Sequence, residues 1–349
     1  MLKSLGRRLR GAGPEGGAAR PEGGEEDLSA TIAELSGRIR ATHALDDERE
    51  LLMLSHGLGA QLVGEERSRP RDESTAFPGL DGDGLAVAPA SELSGPLVRG
   101  GIDEHGYVLV RGLIDRETAT GLADRIEAAF QAREGRGDGI YEEFDPEPPI
   151  QGRSWVATGG GLLAVDSPPV FVAMAEAFDR IGLRRVIAEF LDDPVTISAE
   201  KTTLRRADPG PAGGWHQDGS FMGDTRALNV WVALSDCGVD APGLEFVPRR
   251  LDDLIATGGA GSGAEHLDAP EGDEVSPKSV LVAPNDAERA AGEAGIKNPR
   301  FAPGDVMLFD DRFLHRTGSD PAMTKPRYAI ESWFFGASGF PRDYSPLAF

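Results

Sequence analysis

Apolar residues in the first part of the chain recur with helical spacing. Separations of four, three and four positions place these side chains on one helix face: Leu28, Ile32, Leu35 and Ile39. A second apolar cluster between Leu51 and Leu62 continues the pattern, so we predict a helical N-terminal extension over residues 27–64. Turn-forming and charged residues flank it, and they predict a disordered tail over residues 1–26 and a linker over residues 65–95.

From residue 96 to residue 349 the pattern changes from helical to mainly strand-like. A β-type run at 107–110 precedes Asp115, a good N-cap for a helix through residue 133, and a second helix is predicted over 169–190. After Pro194 the apolar runs are short and turn residues separate them: 195–204, 228–234, 244–247, 306–309 and 327–335. Many short strands after a helical lead-in predict a mainly β domain of the α+β class, with a jelly-roll-like double sheet and flanking helices.

One long insertion interrupts the predicted strands. Residues 256–298 are rich in Gly, Ala and acidic residues and show little periodicity. An insertion of this length is usually either a functional loop or a disordered one. We predict a lid that excludes water from the site, with a solvated loop as the alternative.

The charge balance limits the possible partners. The 349 residues include 36 basic and 58 acidic side chains, a formal net charge of −22 at pH 7. Such a surface repels polyphosphates, so we expect a small-molecule substrate and no nucleic acid. The sequence has no apolar run of membrane-spanning length and no secretory leader, so we expect no membrane partner and a cytoplasmic location. The single cysteine, Cys237, excludes an internal disulfide and a Cys-rich metal site.

The first candidate for chemistry is the run Gly213 to Gly219, which contains His216, Gln217 and Asp218. In an extended backbone, residues two apart point to the same side, so the imidazole and the carboxylate are expected to project together. A His-x-Asp motif alone is also compatible with a histidine hydrogen-bonded to a surface carboxylate.

A second histidine strengthens the metal hypothesis. A Pro-Gly-Asp turn at 303–305 starts an apolar strand, and His315 follows it. Two imidazoles and one carboxylate suit a mid-row divalent metal and leave positions open for other ligands. That donor set fits iron(II), which must hold a co-substrate and dioxygen together.

The third candidate is Arg327, which starts a strand twelve positions after His315. Alternation places Arg327, Ala329, Glu331 and Trp333 on one face of that strand. A guanidinium inside a sheet requires a carboxylate partner. That partner is either an acidic side chain of this chain or the distal carboxylate of a dicarboxylic co-substrate.

The order of these motifs resembles the phytanoyl-CoA dioxygenase family of iron(II)- and 2-oxoglutarate-dependent oxygenases. The motifs that carry the resemblance are the WHQDG run at 215–219, NVWVAL at 229–234, PGLEFVP at 242–248, the strand from Phe301 to His315, and GYVLV at 106–110 before a helix. The resemblance covers residues 97–335. The PGLEFVP run departs from the family pattern because Arg249 and Arg250 follow it.

The resemblance implies a double-stranded β-helix with iron(II) held by His216, Asp218 and His315. It also implies that 2-oxoglutarate binds the iron and places its C5 carboxylate on Arg327, and that reaction with dioxygen releases succinate and CO2. Related halogenases have a small residue in place of the carboxylate ligand. Asp218 therefore favours hydroxylation or a related oxidation, and we expect the substrate to be a small metabolite or biosynthetic intermediate.

Other site residues follow from the resemblance and from alternation. Several relatives have a hydroxyl two residues after the arginine, where this chain has Ala329, so Thr203 is the first candidate for a second co-substrate contact. Trp231 and Asn229 share a face and resemble co-substrate neighbours in the family, although Trp231 also suits plain core packing.

The candidate substrate contacts rest on position alone. Trp215 and Phe221 flank the predicted ligands and are expected to form walls of the pocket. Arg205 either receives an anionic substrate or pairs with Asp208 or Glu200.

Two other functions are compatible with the same residues. A cupin-like metal isomerase or hydrolase would use the three ligands without 2-oxoglutarate, and a small-molecule-binding barrel would have no turnover. The N-terminal helices carry no catalytic motif. We expect them to dock on the outside of the barrel or to form a homo-oligomer.

Overall fold

A computed structural model describes residues 25–63, 74–137, 140–223, 225–258 and 280–349. The predicted tail up to residue 24, the first part of the predicted linker and residues 259–279 of the predicted lid lie outside the described residues. The helices are α1 (Glu25–Thr42), α2 (Leu45–Val63), α3 (Gly95–His105), α4 (Arg116–Arg133), α5 (Arg153–Thr158), α6 (Pro168–Arg180), α7 (Leu183–Leu191), α8 (Gly219–Met222) and α9 (Pro284–Ala291). The strands are β1 (Tyr107–Val110), β2 (Gly161–Leu163), β3 (Val195–Ala207), β4 (Trp215–His216), β5 (Ala227–Ala233), β6 (Gly243–Phe246), β7 (Leu281–Val282), β8 (Val306–Phe309), β9 (His315–Gly318), β10 (Arg327–Gly336) and β11 (Pro346–Ala348).

The strands form two antiparallel sheets. The larger sheet has seven strands in the order β1-β8-β5-β10-β3-β11, with β2 also paired to β3, and the smaller has the order β6-β9-β4-β7. The sheets face each other, because the rings of Tyr107 and Phe246 lie 4.8 Å apart and Arg327 donates to the carbonyl oxygen of Gly243. This arrangement confirms the predicted jelly-roll class with flanking helices.

The N-terminal helices pack against the rest of this chain. Leu35 and Ile39 of α1 form a buried cluster with Val172 of α6. On α2, a Cβ at Gly59 would lie 2.8 Å from the carbonyl oxygen of Pro346, so the helix contacts β11 backbone to backbone. The apolar face of α1 is therefore covered within the chain, and the homo-oligomer stays a prediction. No helix among the described residues combines the length and apolar character needed to cross a membrane.

Three elements differ from the pattern-based expectation. The helix predicted over 169–190 is two helices, because Gly182 adopts a left-handed φ of 70° between α6 and α7. The predicted linker ends in α3, whose N-cap Ser94 accepts a hydrogen bond from the backbone of Leu97. The end of the predicted lid is ordered structure, since β7 pairs with β4 and α9 follows it.

Candidate active site

Strand pairing brings the two predicted histidine ligands together. His216 on β4 and His315 on β9 are register partners, and their ring centroids lie 4.4 Å apart. Directly opposed residues in an antiparallel pair project to the same side, so both imidazoles face the larger sheet. The ladder therefore joins two motifs that are distant in sequence.

Asp218 reaches the same place through a turn. β4 ends at His216, and Asp218 has helical backbone angles (φ −65°, ψ −23°) just before α8. Its Oδ1 atom lies 4.0 Å from Nε2 of His216, and its buried Oδ2 atom has no hydrogen-bond partner among the described residues. The prediction of proximity was right, but a helical turn and not extended alternation produces it. Gln217 points away and donates to the carbonyl oxygen of Arg312 at 2.7 Å.

Both imidazoles have the tautomer that a metal requires. Nδ1 of His216 lies 2.9 Å from the carbonyl oxygen of Gly214, and Nδ1 of His315 lies 2.9 Å from that of Phe313. A carbonyl oxygen can only accept, so each Nδ1 carries the hydrogen and each Nε2 keeps its lone pair. Burial, and then the neighbouring His216, lower the pKa of His315, which favours the neutral ligand form.

Glu331 is a further candidate metal ligand, which we did not predict from the sequence. Ligand atoms of Asp218, His315 and Glu331 all lie within 4.8 Å of one another. The alternation of β10 already placed Glu331 on the same face as Arg327, and this was the available signal. Among the described residues, the set that meets this distance therefore contains Glu331, while His216 contacts the same place through Asp218 and His315. Both the set with Glu331 and the predicted set with His216 have the donor types that a divalent metal accepts.

Two predicted binding residues hold Glu331. Arg205 donates to its Oε2 atom from Nε at 3.1 Å and from Nη2 at 3.0 Å, and Thr203 donates to the same oxygen at 3.2 Å. Burial alone would raise the pKa of Glu331, but the positive charge and the hydrogen bonds of Arg205 lower it. Glu331 is therefore ionised at neutral pH.

These contacts revise the roles expected for both residues. Arg205 pairs with neither Asp208 nor Glu200, because the carboxylate within its reach is Glu331. Asp208 instead lies 3.6 Å from Arg206. The Thr203 hydroxyl that we expected to contact a co-substrate donates to a carboxylate of this chain.

Arg327 is a buried cation without a carboxylate. Its residue is 4% exposed, its Nη1 donates to the carbonyl oxygen of Gly243 at 2.8 Å, and its buried Nε has no partner among the described residues. No carboxylate of the described chain lies within 4.0 Å of the guanidinium, so the internal salt bridge considered from the sequence is not formed there. Burial lowers the pKa of Arg327. An uncompensated buried charge costs several kcal/mol, and the arrangement fits an incoming anion.

Two predicted co-substrate neighbours line the same space. The Trp231 ring lies 5.8 Å from the guanidinium carbon of Arg327 and 4.9 Å from the Phe301 ring. Asn229 is fully buried, and neither Oδ1 nor Nδ2 of its amide has a partner among the residues described. Together with Arg327 Nε and Asp218 Oδ2, these unpaired atoms mark a polar site that a ligand would complete. The residues therefore fit a divalent metal beside a small anion.

The structure separates the two aromatic residues predicted to wall the pocket. Trp215 is 1% exposed and packs with Val247 and Val282 in a separate apolar cluster, because alternation on β4 turns it away from His216. Its position corrects the expectation that Trp215 contacts substrate. The Phe221 ring lies 3.8 Å from the ammonium of Lys201 on β3, beside the metal donors.

This chain matches known proteins both by sequence and by structure. Residues 102–321 match the family model described as phytanoyl-CoA dioxygenase. L-proline trans-4-hydroxylase of Streptomyces griseoviridis is 27% identical over 193 residues, which are 53% of this chain and 70% of that protein. Two solved structures align with low scores. EctD from S. alaskensis with 2-oxoglutarate and 5-hydroxyectoine has 17% identity and a TM-score of 0.46, over 79% of this chain and 85% of that one. AviO1 from Streptomyces viridochromogenes has 18% identity and a TM-score of 0.43, over 71% and 98%.

Proposed function

The chain belongs to the phytanoyl-CoA dioxygenase family, and from that premise we propose that it is an iron(II)- and 2-oxoglutarate-dependent oxygenase that hydroxylates a small metabolite. The protein is thus an oxidoreductase. The observation that carries the proposal is the position of Arg327. This buried guanidinium has no carboxylate partner among the described residues and faces the same space between the sheets as the candidate metal ligands.

His216, Asp218 and His315 would hold the iron. Each imidazole presents a free Nε2, and Asp218 has a buried oxygen without a partner. We leave Glu331 out of this set because its charge neutralises Arg205, to which it is bound through two hydrogen bonds. When bound, iron(II) would supply the oxidising chemistry that consumes 2-oxoglutarate and dioxygen and yields succinate and CO2.

The protein's own residues would bind and orient the co-substrate. Arg327 would donate from its unpartnered Nε and from the other N–H groups at the edge of the guanidinium to the C5 carboxylate, and the anion would neutralise a charge that the fold leaves buried. Asn229 and Trp231 would line the path toward the metal donors, and the unpaired Asn229 amide can both donate and accept there.

Hydroxylation is the reaction type best supported by Asp218. A carboxylate at this position occupies the site where a halogenase of this family would admit a halide. The similarity to L-proline trans-4-hydroxylase also favours hydroxylation of a small metabolite. Cytoplasmic location stays a prediction.

The test is a screen for succinate release. Purified protein is incubated with iron(II), ascorbate and 2-oxoglutarate, and single metabolites are added one at a time. L-proline is the first compound tested. We expect at least one compound to raise succinate formation above the compound-free rate, and His315→Ala to abolish the increase. A compound converted at an unchanged rate without 2-oxoglutarate, or equally fast by Arg327→Ala, would favour a metal isomerase or hydrolase and contradict the proposal.

A further inference from the structure

Lys201 is a second cation of the inner sheet face that lacks a carboxylate partner. Among the described residues, no carboxylate oxygen lies within 4.0 Å of its ammonium. Its near contacts are aromatic rings, with the Phe221 centroid at 3.8 Å and the Tyr344 centroid at 5.3 Å. Aromatic faces attract a cation but do not neutralise it. The side chain is only partly exposed, and burial lowers the pKa of Lys201.

Lys201 and Arg327 lie on opposite sides of the metal donors. Ala207 is the register partner of Arg327, and Lys201 lies six positions before it on β3, about 20 Å along an extended strand and next to the last regular pair, Thr202 with Ser332. Glu331, whose oxygen lies beside Asp218 and His315, is paired with Thr203 between these two points. A co-substrate held by Arg327 would therefore occupy one side of the metal donors, and Lys201 belongs to the other.

The aromatic wall around Lys201 is fixed by the fold. Phe221 follows Asp218 by three residues, so the ring that covers the ammonium is tied to a metal donor. The hydroxyl of Tyr344 donates to the carbonyl oxygen of Phe221 at 3.2 Å, and the backbone N–H of Ser345 donates to buried Glu200 at 2.8 Å. These hydrogen bonds hold the two aromatic residues beside the ammonium.

The charges on this face are unusual for so acidic a protein. The inner face of β3 and β10 carries three cations, Lys201, Arg205 and Arg327. The carboxylates that act on Lys201 are those of Asp218, Glu331 and buried Glu200, and none of them lies within 4.0 Å of its ammonium. Arg205 is paired with Glu331, so Lys201 and Arg327 are the two cations of this face without an ion pair among the described residues.

We propose that Lys201 binds a carboxylate of the substrate, so that the substrate class is small monocarboxylic acids. The proposal rests on the oxygenase function proposed above and adds the identity of the group that is recognised. Arg205 does not serve this purpose, because Glu331 already holds it. A lone ammonium also suits a singly charged carboxylate better than a group with several phosphates.

The experiment measures binding without turnover. Protein loaded with Mn(II) and 2-oxoglutarate is titrated with a panel of small metabolite acids, L-proline first, and with the primary amide of each acid. Thermal shift and calorimetry report the binding. The variants are Lys201→Met, which removes the charge, and Lys201→Arg, which keeps it. Lys325→Met is the matched control, because that lysine is exposed and pairs with Asp240.

We expect the acids to bind more tightly than their amides. We also expect Lys201→Met to lower the affinity for these acids by at least about thirtyfold. Lys201→Arg should retain most of the affinity, and Lys325→Met all of it. Equal binding of acids and amides, no binding of any acid, or an unchanged acid affinity in Lys201→Met would each overturn the proposal. A loss confined to 2-oxoglutarate affinity would also overturn it. Failure of the wild-type protein to bind 2-oxoglutarate would instead contradict the oxygenase function.

Discussion

Arg205 and Glu331 lie diagonally across the β3–β10 ladder and form an ion pair with an Nη2–Oε2 distance of 3.0 Å. The pair lies beside the metal donors, and its geometry separates two possible ligand sets. In one set the carboxylate of Glu331 replaces His216, and in the other it neutralises Arg205. The three hydrogen bonds that converge on Oε2 favour the second role.

Metal affinity distinguishes these two sets. We expect His216→Ala and Asp218→Ala to weaken Mn(II) binding by more than about a hundredfold, because each would remove a proposed direct ligand, and Glu331→Gln to weaken it by no more than about tenfold. Anaerobic calorimetry with Mn(II) or iron(II) makes the comparison. A stronger effect of Glu331→Gln than of His216→Ala would identify Glu331 as the ligand.

Arg327→Ala should separate co-substrate binding from metal binding. The variant removes the cation that would face the C5 carboxylate, so we expect 2-oxoglutarate affinity to fall by at least about thirtyfold while Mn(II) affinity changes little. Calorimetry on the Mn(II)-loaded protein measures both values, and circular dichroism verifies folding. Arg316→Ala is the control, since Arg316 pairs with Glu245 away from this space. A similar loss of affinity for 2-oxoglutarate and for Mn(II) would argue against the role of Arg327 in co-substrate binding.

Gly219 packs closely against Asp311 in the turn that positions Asp218. A Cβ at Gly219 would lie 2.5 Å from Oδ2 of Asp311, and the Gly219 N–H donates to the carbonyl oxygen of Asp311 at 2.8 Å. We expect Gly219→Ala to lower the free energy of unfolding by about 1–3 kcal/mol and to weaken metal binding. Gly121→Ala, on an open position of α4, should be neutral or stabilise by up to about 1 kcal/mol. Denaturant titration measures the free energy of unfolding of both variants and of the wild-type protein. A Gly219→Ala variant as stable as the wild type would refute the steric argument.

Asp311 should contribute less to the stability of the metal-free protein as the pH rises toward neutrality. Burial, and then repulsion by Asp310, raise the pKa of Asp311 from 3.8 to about 7. The folded state therefore binds this proton more tightly than the unfolded state. Its contribution to stability is complete below pH 3.8 and is lost as the pH rises through about 7, by at most about 1.4 kcal/mol per pH unit. We expect Asp311→Asn to reduce the pH dependence of the free energy of unfolding between pH 3.8 and about 7, measured by urea titrations at several pH values. An unchanged pH dependence would contradict the raised pKa of Asp311.

The parts of the site that local patterns determine were predictable. Alternation on β10 placed Arg327 on the inner face, and the order of the motifs identified both histidines. The β4–β9 pairing then brings those histidines together. The fold class was equally accessible, because short strands separated by turns leave few architectures other than a double sheet.

Choices of partner could not be read from the sequence. Arg205 has several acidic residues near it in the chain, yet its partner is Glu331 on another strand, and only the register of β3 and β10 determines this. Trp215 was assigned to the pocket because it adjoins His216, whereas the two-residue strand β4 turns it to the other side. Proximity in sequence and proximity in space differ most at such short strands.

The guanidinium of Arg327, which has no carboxylate partner among the described residues, makes the stability of the folded state depend on bound anions. Any anion that neutralises it binds the native state alone, and the stability gained grows with the logarithm of that anion's concentration above its dissociation constant. If 2-oxoglutarate is that anion, the co-substrate is also a structural component of the protein. Nutrient conditions that deplete it would then reduce the lifetime of the enzyme as well as its turnover.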